Sequence, residues 1–138
     1  MSMASLIVGP YYNKPTQEGF YQHFAAVAQS TGLPIIVYNV PGRTASNISP
    51  AIVARLAADF ENIVAIKEAA GNVAQVAELY SVLPEEFTIY SGDDGLILPF
   101  YVLSARPGLF LCSAILAAVS CRTLCRLMKT AAYAKLQN

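Results

Sequence analysis

The stretch NIVAIKE at residues 62–68 is a short apolar run, rich in β-branched residues, that ends in a lysine and a glutamate. Its apolar residues follow one another without alternating polar positions. This pattern is typical of a β-strand that is covered on both faces, as the strands of parallel sheets are. The two charged residues mark the point where the predicted strand ends and a loop begins.

Similar apolar runs recur along the chain, and each is followed by a segment with a helical pattern. Successive runs start 29, 28, 25 and 21 residues apart. They cover residues 5–9, 34–40, 62–66, 87–90 and, more weakly, 108–112. Helices are predicted over residues 17–30, 50–58, 73–83, 95–104 and 120–137, with Ser49 and Asn72 as the N-cap residues of the second and third. A strand–helix repeat of about 25–30 residues indicates the α/β class, with parallel strands alternating with helices.

Two architectures share this repeat: an open, doubly wound sheet and a closed (β/α) barrel. No glycine-rich phosphate-binding fingerprint follows any of the runs, which counts against a dinucleotide-binding sheet. A full barrel takes about 250 residues. Five strand–helix units in 138 residues therefore correspond to about the second half of a barrel.

The composition excludes several classes of protein. The chain has 9 basic and 9 acidic residues, and 55% of its residues are hydrophobic but only 13% charged. So apolar a chain is not disordered, and its lack of net basic charge argues against a nucleic-acid partner. No secretory signal or membrane-spanning stretch is visible, so we expect a cytoplasmic protein with no membrane partner. The apolar excess predicts a homo-oligomer or a piece of a larger buried architecture.

Polar residues follow the first four apolar runs, at the places where the predicted strands end. They form the segments PYYN at 10–13, YNVPGRT at 38–44, KE at 67–68 and SGDD at 91–94. In a parallel strand–helix repeat these ends meet at one rim, and functional side chains collect there. A purely structural protein has no need of such a rim, so the pattern predicts an active site.

Lys67 is the most informative residue of this rim. Burial at the end of an apolar strand favours the neutral form of an ammonium group, and a neutral amine attacks a carbonyl to form a Schiff base. The alternative is an ion pair of Lys67 with Glu68 or with an aspartate of the rim. The position of Lys67 in the sequence leaves both interpretations open.

Two further residues are candidates for the same site. The phenol of Tyr12 could shuttle a proton to or from the intermediate formed on the lysine, or it could simply pack with its hydroxyl hydrogen-bonded. Arg43 lies in the segment PGRT, which is predicted to be a tight turn; its guanidinium suits the capture of a substrate carboxylate through two hydrogen bonds, or it is a solvated loop charge.

At these positions the sequence resembles the dihydrodipicolinate synthase family of pyruvate-dependent class I aldolases, the superfamily that includes N-acetylneuraminate lyase. The matching stretches are GPYYNKPTQEGFYQHF at 9–24, LPIIVYNVPGRT at 33–44, IVAIKEAAGN at 63–72 and YSGDD at 90–94. Together they are highly specific, and the resemblance extends over residues 5–103. The VPGRT and SGDD motifs favour the synthase branch over the sialic-acid-lyase branch.

The resemblance implies a TIM barrel that condenses pyruvate with L-aspartate semialdehyde in lysine and diaminopimelate biosynthesis. By motif position, Lys67 is similar to the Schiff-base lysine, Tyr12 to the proton-relay tyrosine and Arg43 to the residue that receives the semialdehyde carboxylate. The imine itself is the electron sink, so the resemblance implies no cofactor and no metal.

The chain departs from the family pattern at both ends. Residues 1–138 are expected to form a single partial TIM-barrel domain that lacks the first three strand–helix units, and residues 104–138 diverge from the family's small-residue pattern. A homo-oligomer or a partner half-barrel would then complete the fold. Two alternatives stay open: a catalytically silent half-barrel that serves as an interaction subunit, and a related 2-keto acid aldolase that uses another aldehyde.

Overall fold

The structure is a computed structural model that describes residues 3–96 and Pro99. Within these residues the elements are, in chain order, β1 (Ser5–Val8), α1 (Gln17–Ser30), β2 (Ile35–Asn39), α2 (Pro41–Thr44), α3 (Pro50–Asp59), β3 (Ile63–Glu68), α4 (Val73–Val82), β4 (Thr88–Ser91) and a 3₁₀ turn (Asp94–Leu96). None of the helices in this part of the chain is long and apolar enough to cross a membrane.

The four strands form one parallel sheet in the order β1-β2-β3-β4. Each strand therefore pairs with the next strand along the chain, and a helical connection links them. A doubly wound sheet reverses its strand order at a switch point, whereas a barrel adds its strands consecutively. The predicted α/β class is confirmed, and the consecutive order is that of a barrel segment.

Local sequence signals account for the helix starts. The Thr16 side chain accepts a hydrogen bond from the backbone N–H of Gly19 and so caps α1. The side chain of Asn72 accepts from two backbone N–H groups in the first turn of α4. At α3 the residue before the helix is Ser49, as predicted, but its side chain makes no capping bond there, and Pro50 supplies the favourable first position.

Two segments differ from the sequence-based prediction. The segment PGRT, expected to be a turn, is the short helix α2, which starts at Pro41 and ends at Ala45 with a left-handed φ of 52°. The helix predicted from residue 95 begins as the 3₁₀ turn; Pro99 within it is helical, and the rest of this predicted helix lies outside the described residues. So do the predicted strand at 108–112 and the predicted helix at 120–137.

The hydrophobic core lies between one face of the sheet and the helices. Its fully buried members include Phe20, Phe24, Ile35, Val37, Val53, Leu56, Ile66, Val76 and Leu79. On the other face, which we call the open face, Leu6 is 50% exposed and Val8 37% exposed. No element among the described residues packs on the open face, so these residues do not test the prediction that the strands are covered on both faces.

The pairing of β2 with β3 contains one irregularity. Ile35 pairs with Ile63, but the next residue, Ile36, pairs with Ala65, so that Val64 has no register partner. This extra residue shifts the alternation of side chains along β3. As a result Ile63 and Ile66 both lie in the helix-covered core.

Candidate active site

The carboxyl ends of β2, β3 and β4 present two rows of polar side chains. Because successive side chains of a strand point to opposite faces, residues that pair in register share a face. The register places Tyr38, Lys67 and Tyr90 in one row, and Asn39, Glu68 and Ser91 in the other. The second row is buried beside the helices, and the first lies on the open face.

Lys67 is half-buried in the middle of the open-face row. Its Nζ lies 4.5 Å from the centroid of the Tyr38 ring, on the neighbouring strand. In the part of the chain that the structure describes, both ion pairs are made by Arg55, with Glu18 and with Asp59. The amine of Lys67 therefore has no acidic partner among these residues.

Glu68 points to the opposite side of β3 from Lys67. Its carboxylate accepts hydrogen bonds from the side chains of Asn39 and Gln75 and from the backbone N–H of Ala70, and the residue is 1% exposed. Burial raises the pKa of the Glu68 carboxyl, and these hydrogen bonds oppose the rise. The Lys67–Glu68 ion pair that the sequence left open is thus excluded, because the two side chains lie on different faces.

The structure places Tyr38, not Tyr12, beside Lys67. Tyr12 lies in the loop after β1 and is 94% exposed, and its hydroxyl has no hydrogen-bond partner within the described residues. The sequence analysis missed Tyr38. The signal that could have found it is its place one residue before the end of β2, where a side chain shares the face of Lys67 once the strand register is known.

Arg43 lies on α2, directly after β2, and its side chain is exposed. Its backbone N–H donates to the carbonyl of Val40 at 2.9 Å, which holds the helical turn. Among residues 3–96 no carboxylate pairs with its guanidinium. The group is therefore available to a carboxylate in solution at the rim shared by β2 and β3.

Gly92 packs directly against the strand end that carries Lys67. A Cβ atom at this position would lie 2.6 Å from the Ala69 Cβ, 3.3 Å from the Glu68 carbonyl oxygen and 3.3 Å from the Lys67 Cε. The Gly92 N–H also donates to that carbonyl at 2.8 Å. No side chain fits here without displacing the end of β3.

We therefore expect Gly92→Ala to lower the free energy of unfolding by about 1–3 kcal/mol, the usual cost of overpacking. Gly42→Ala is the matched control, because a Cβ at Gly42 meets no atom within 4 Å. Its effect should stay within about 0.5 kcal/mol. Urea denaturation of the two variants measures both values, and equal stabilities would contradict the close packing at Gly92.

No group of three or more His, Cys, Asp or Glu side chains in the described residues is arranged to hold a metal ion. The side chains at the rim include an amine, a phenol and a guanidinium. These groups lie at the carboxyl ends of consecutive parallel strands. The fold and the site together define a (β/α)-barrel protein with a lysine at the centre of its functional rim.

The chain belongs to the dihydrodipicolinate synthetase family, whose model matches residues 2–138. A 4-hydroxy-tetrahydrodipicolinate synthase of Heliobacterium modesticaldum is 66% identical over 94 residues, which cover 68% of this chain and 31% of that protein. The chain spans about a third of the length of the curated relatives it matches.

Solved structures of the family share the fold. A dihydrodipicolinate synthase of Bacillus anthracis matches with a TM-score of 0.84 and 42% identity over 97% of this chain and 45% of that one. The prophage protein YagE of E. coli K12, in complex with pyruvate, matches with a TM-score of 0.69 and 28% identity over 76% of this chain and 36% of that one. The predicted partial TIM barrel is confirmed.

Proposed function

We propose that Lys67 forms an imine with pyruvate, and that the enamine derived from it attacks the aldehyde of L-aspartate semialdehyde, in a cytoplasmic step of lysine and diaminopimelate biosynthesis. The observation that carries this proposal is the half-buried amine of Lys67, which has no acidic partner in the described residues and lies against the Tyr38 ring. The family relatives named as synthases and the pyruvate complex of YagE support it.

The chemistry balances without a metal or an organic cofactor. The lysine nitrogen adds to the ketone carbon of pyruvate, and loss of water gives the imine. This imine is protonated on nitrogen, so that loss of a proton from the methyl group moves the electron pair of the C=N bond onto the nitrogen and gives a neutral enamine. The enamine carbon bonds to the aldehyde carbon, the protonated imine re-forms, and a proton is transferred to the aldehyde oxygen. Addition of water to the imine then breaks its bond to the lysine nitrogen and releases the product.

A proton relay is needed when water leaves and when the aldehyde oxygen is protonated. The position of the Tyr38 ring beside Lys67 supports this role for Tyr38. Tyr12, the tyrosine that the PYYN motif predicts, remains the alternative. No observation favours a catalytically silent subunit or another aldehyde. Borohydride trapping of pyruvate on the chain tests the proposal, since a silent half-barrel forms no adduct.

Arg43 is proposed to bind the carboxylate of the semialdehyde. We expect Arg43→Ala to weaken the semialdehyde step by roughly 1.5–3 kcal/mol, the scale of a charge-assisted hydrogen bond. This corresponds to a loss on the order of 10–150-fold in kcat/KM for condensation. Arg43→Lys should recover part of the loss, because an ammonium lacks the planar two-donor geometry.

Pyruvate imine formation at Lys67 is the control, and it should be nearly unchanged in Arg43→Ala. Borohydride trapping measures it without the second substrate. If Arg43→Ala abolished trapping while the circular dichroism spectrum stayed native, Arg43 would belong to the pyruvate site instead.

The exposed apolar side chains of the open face support the proposal that the chain forms a homo-oligomer or pairs with a partner half-barrel. Leu6 and Val8 on β1 are 50% and 37% exposed. Association that covers them makes the apparent stability depend on protomer concentration. We expect the Tm to rise with concentration in thermal unfolding of the purified chain. A monodisperse monomer with a constant Tm would contradict this expectation.

A further inference from the structure

Three buried side chains and one exposed side chain form a closed ring of hydrogen bonds on the helix side of the rim. We call Asn39, Glu68, Gln75 and Asn47 the carboxylate ring. Asn39 Nδ2 donates to both oxygens of Glu68, at 3.1 and 3.0 Å, and Gln75 Nε2 donates to Oε2 at 3.1 Å. Asn47 closes the ring, because its Nδ2 donates to Gln75 Oε1 at 2.8 Å and its Oδ1 accepts from Asn39 Nδ2 at 2.8 Å.

This ring closes the base of the segment that carries Arg43. Residues 40–49, which we call the Arg43 loop, start next to Asn39 and end next to Ile48. The backbone N–H of Ile48 donates to Asn39 Oδ1 at 3.1 Å, so the two ends of the loop are joined directly. Between them Ala45 has a φ of 52°, a backbone conformation that a residue other than glycine keeps only where its surroundings hold it.

The directions of the hydrogen bonds in the ring require the side chain at position 68 to accept two bonds and to donate none. Because Ile48 fixes Oδ1 of Asn39, the NH₂ group of Asn39 must supply both of its bonds within the ring. Within the ring, Asn47 accepts from Asn39 and donates to Gln75, and Gln75 accepts from Asn47 and donates to Glu68. The fourth member must therefore accept twice, which a carboxylate does. A glutamine donates at one of its two positions, so at least one bond of the ring is lost.

We propose that Glu68 is a positioning residue, whose buried carboxylate fixes the Arg43 loop relative to the strand that carries Lys67. Glu68 does not face the substrate side, since it lies on the opposite face of β3 from Lys67. The proposal rests on the proposed function for the roles of Lys67 and Arg43. The ring itself is a property of the substrate-free protein.

Hydrogen exchange of the substrate-free chain tests the ring. We expect Glu68→Gln to speed amide exchange in peptides from residues 40–49 by about tenfold, the equivalent of about one lost hydrogen bond. Glu61→Gln is the matched control, because Glu61 is exposed and undergoes the same chemical change. Its exchange pattern should be that of the unsubstituted chain.

A double substitution distinguishes the hydrogen-bond ring from a general packing role of Glu68, because only the ring predicts that the second change restores slow exchange. In Glu68→Gln combined with Asn39→Asp, the aspartate accepts twice and the glutamine donates twice. Gln75 and Asn47 then turn their amides round, and every bond of the ring is restored with the opposite polarity, while the long 3.5 Å bond from Gln75 Nε2 to the Ile48 carbonyl is lost. We expect exchange in the Arg43 loop to return close to that of the unsubstituted chain. Asn39→Asp alone places two carboxylates together and should speed exchange.

The consequence for the reaction is a raised KM for the aldehyde substrate. In the condensation assay we expect about a tenfold rise in Glu68→Gln, with pyruvate trapping at Lys67 unchanged. An aldehyde KM that stays unchanged while exchange becomes faster would overturn the positioning role. Failure of the proposed function would show differently, as the absence of any adduct on Lys67 in the unsubstituted chain.

A second variant covers the case in which Glu68→Gln does not fold. Asn47→Ala opens the ring at its exposed corner, and we expect it to speed exchange across residues 40–49 in the same way. If Glu68→Gln or Asn47→Ala folds and its amide exchange across residues 40–49 is unchanged, the proposal is overturned. Failure of the double substitution to slow the exchange of a folded Glu68→Gln would also do so.

Discussion

Replacement of Lys67 by arginine is expected to abolish the trapping of pyruvate by borohydride. An imine needs a neutral primary amine as nucleophile, and a guanidinium stays protonated in proteins. Arginine has a long aliphatic stem and a cationic group that packs on aromatic rings, so a contact with the Tyr38 ring can persist and the fold should be retained. Intact-mass measurement after reduction should show one adduct on the unsubstituted chain and none on Lys67→Arg.

Peptide mapping of the reduced protein locates the adduct. Lys14→Arg is the control, because Lys14 is an exposed lysine in the loop after β1 and its replacement should leave trapping intact. An adduct on Lys14, Lys129 or Lys135, rather than on Lys67, would refute the assignment of the Schiff-base lysine.

Tyr38→Phe is expected to slow imine formation at Lys67 by about 10²–10⁴-fold, the range of general acid–base catalysis by one side chain. Phenylalanine keeps the aromatic ring beside the amine and removes the hydroxyl that would transfer the proton. The rate is followed by quenching the reaction with borohydride at increasing times after pyruvate is added. Circular dichroism confirms that the variant keeps its fold.

Tyr12→Phe removes the other candidate hydroxyl in the same assay. Because Tyr12 is 94% exposed, we expect its loss to change the trapping rate little. If Tyr12→Phe were the slower variant, the motif-based assignment of the proton relay to Tyr12 would be right and the role proposed for Tyr38 would be wrong.

The sequence predicts the elements of this fold well because their signals are local. The run at residues 17–30 shows the helical spacing of Phe20 and Phe24, and the structure places α1 over the same residues. Asn72 and Pro50 mark helix starts through their own backbone and side-chain chemistry. The short helix α2 was missed because proline at the first position favours a turn and a helix alike.

The site was predicted less completely because its geometry depends on pairing between distant strands. The sequence shows which residues end each strand, and so indicates Lys67 and Arg43. It does not show the register that brings Tyr38 next to Lys67 or Asn39 next to Glu68. The Lys67–Glu68 ion pair remained an alternative because neighbours in sequence suggest contact, whereas neighbours in a strand point apart.

The unpaired Val64 gives the amino-terminal half of β3 a decisive influence on chemistry at its other end. If Val64 instead took a regular place in the pairing, the alternation that starts at Ile63 would run through it and would turn Lys67 toward the helices and Glu68 toward the open face. Deletion of Val64 would keep the observed arrangement, because Ala65 would follow Ile63 directly and the pairs from Ala65 to Glu68 would be unchanged. The extra residue in β3 therefore determines that the amine of Lys67, and not the carboxylate of Glu68, faces the open side of the sheet.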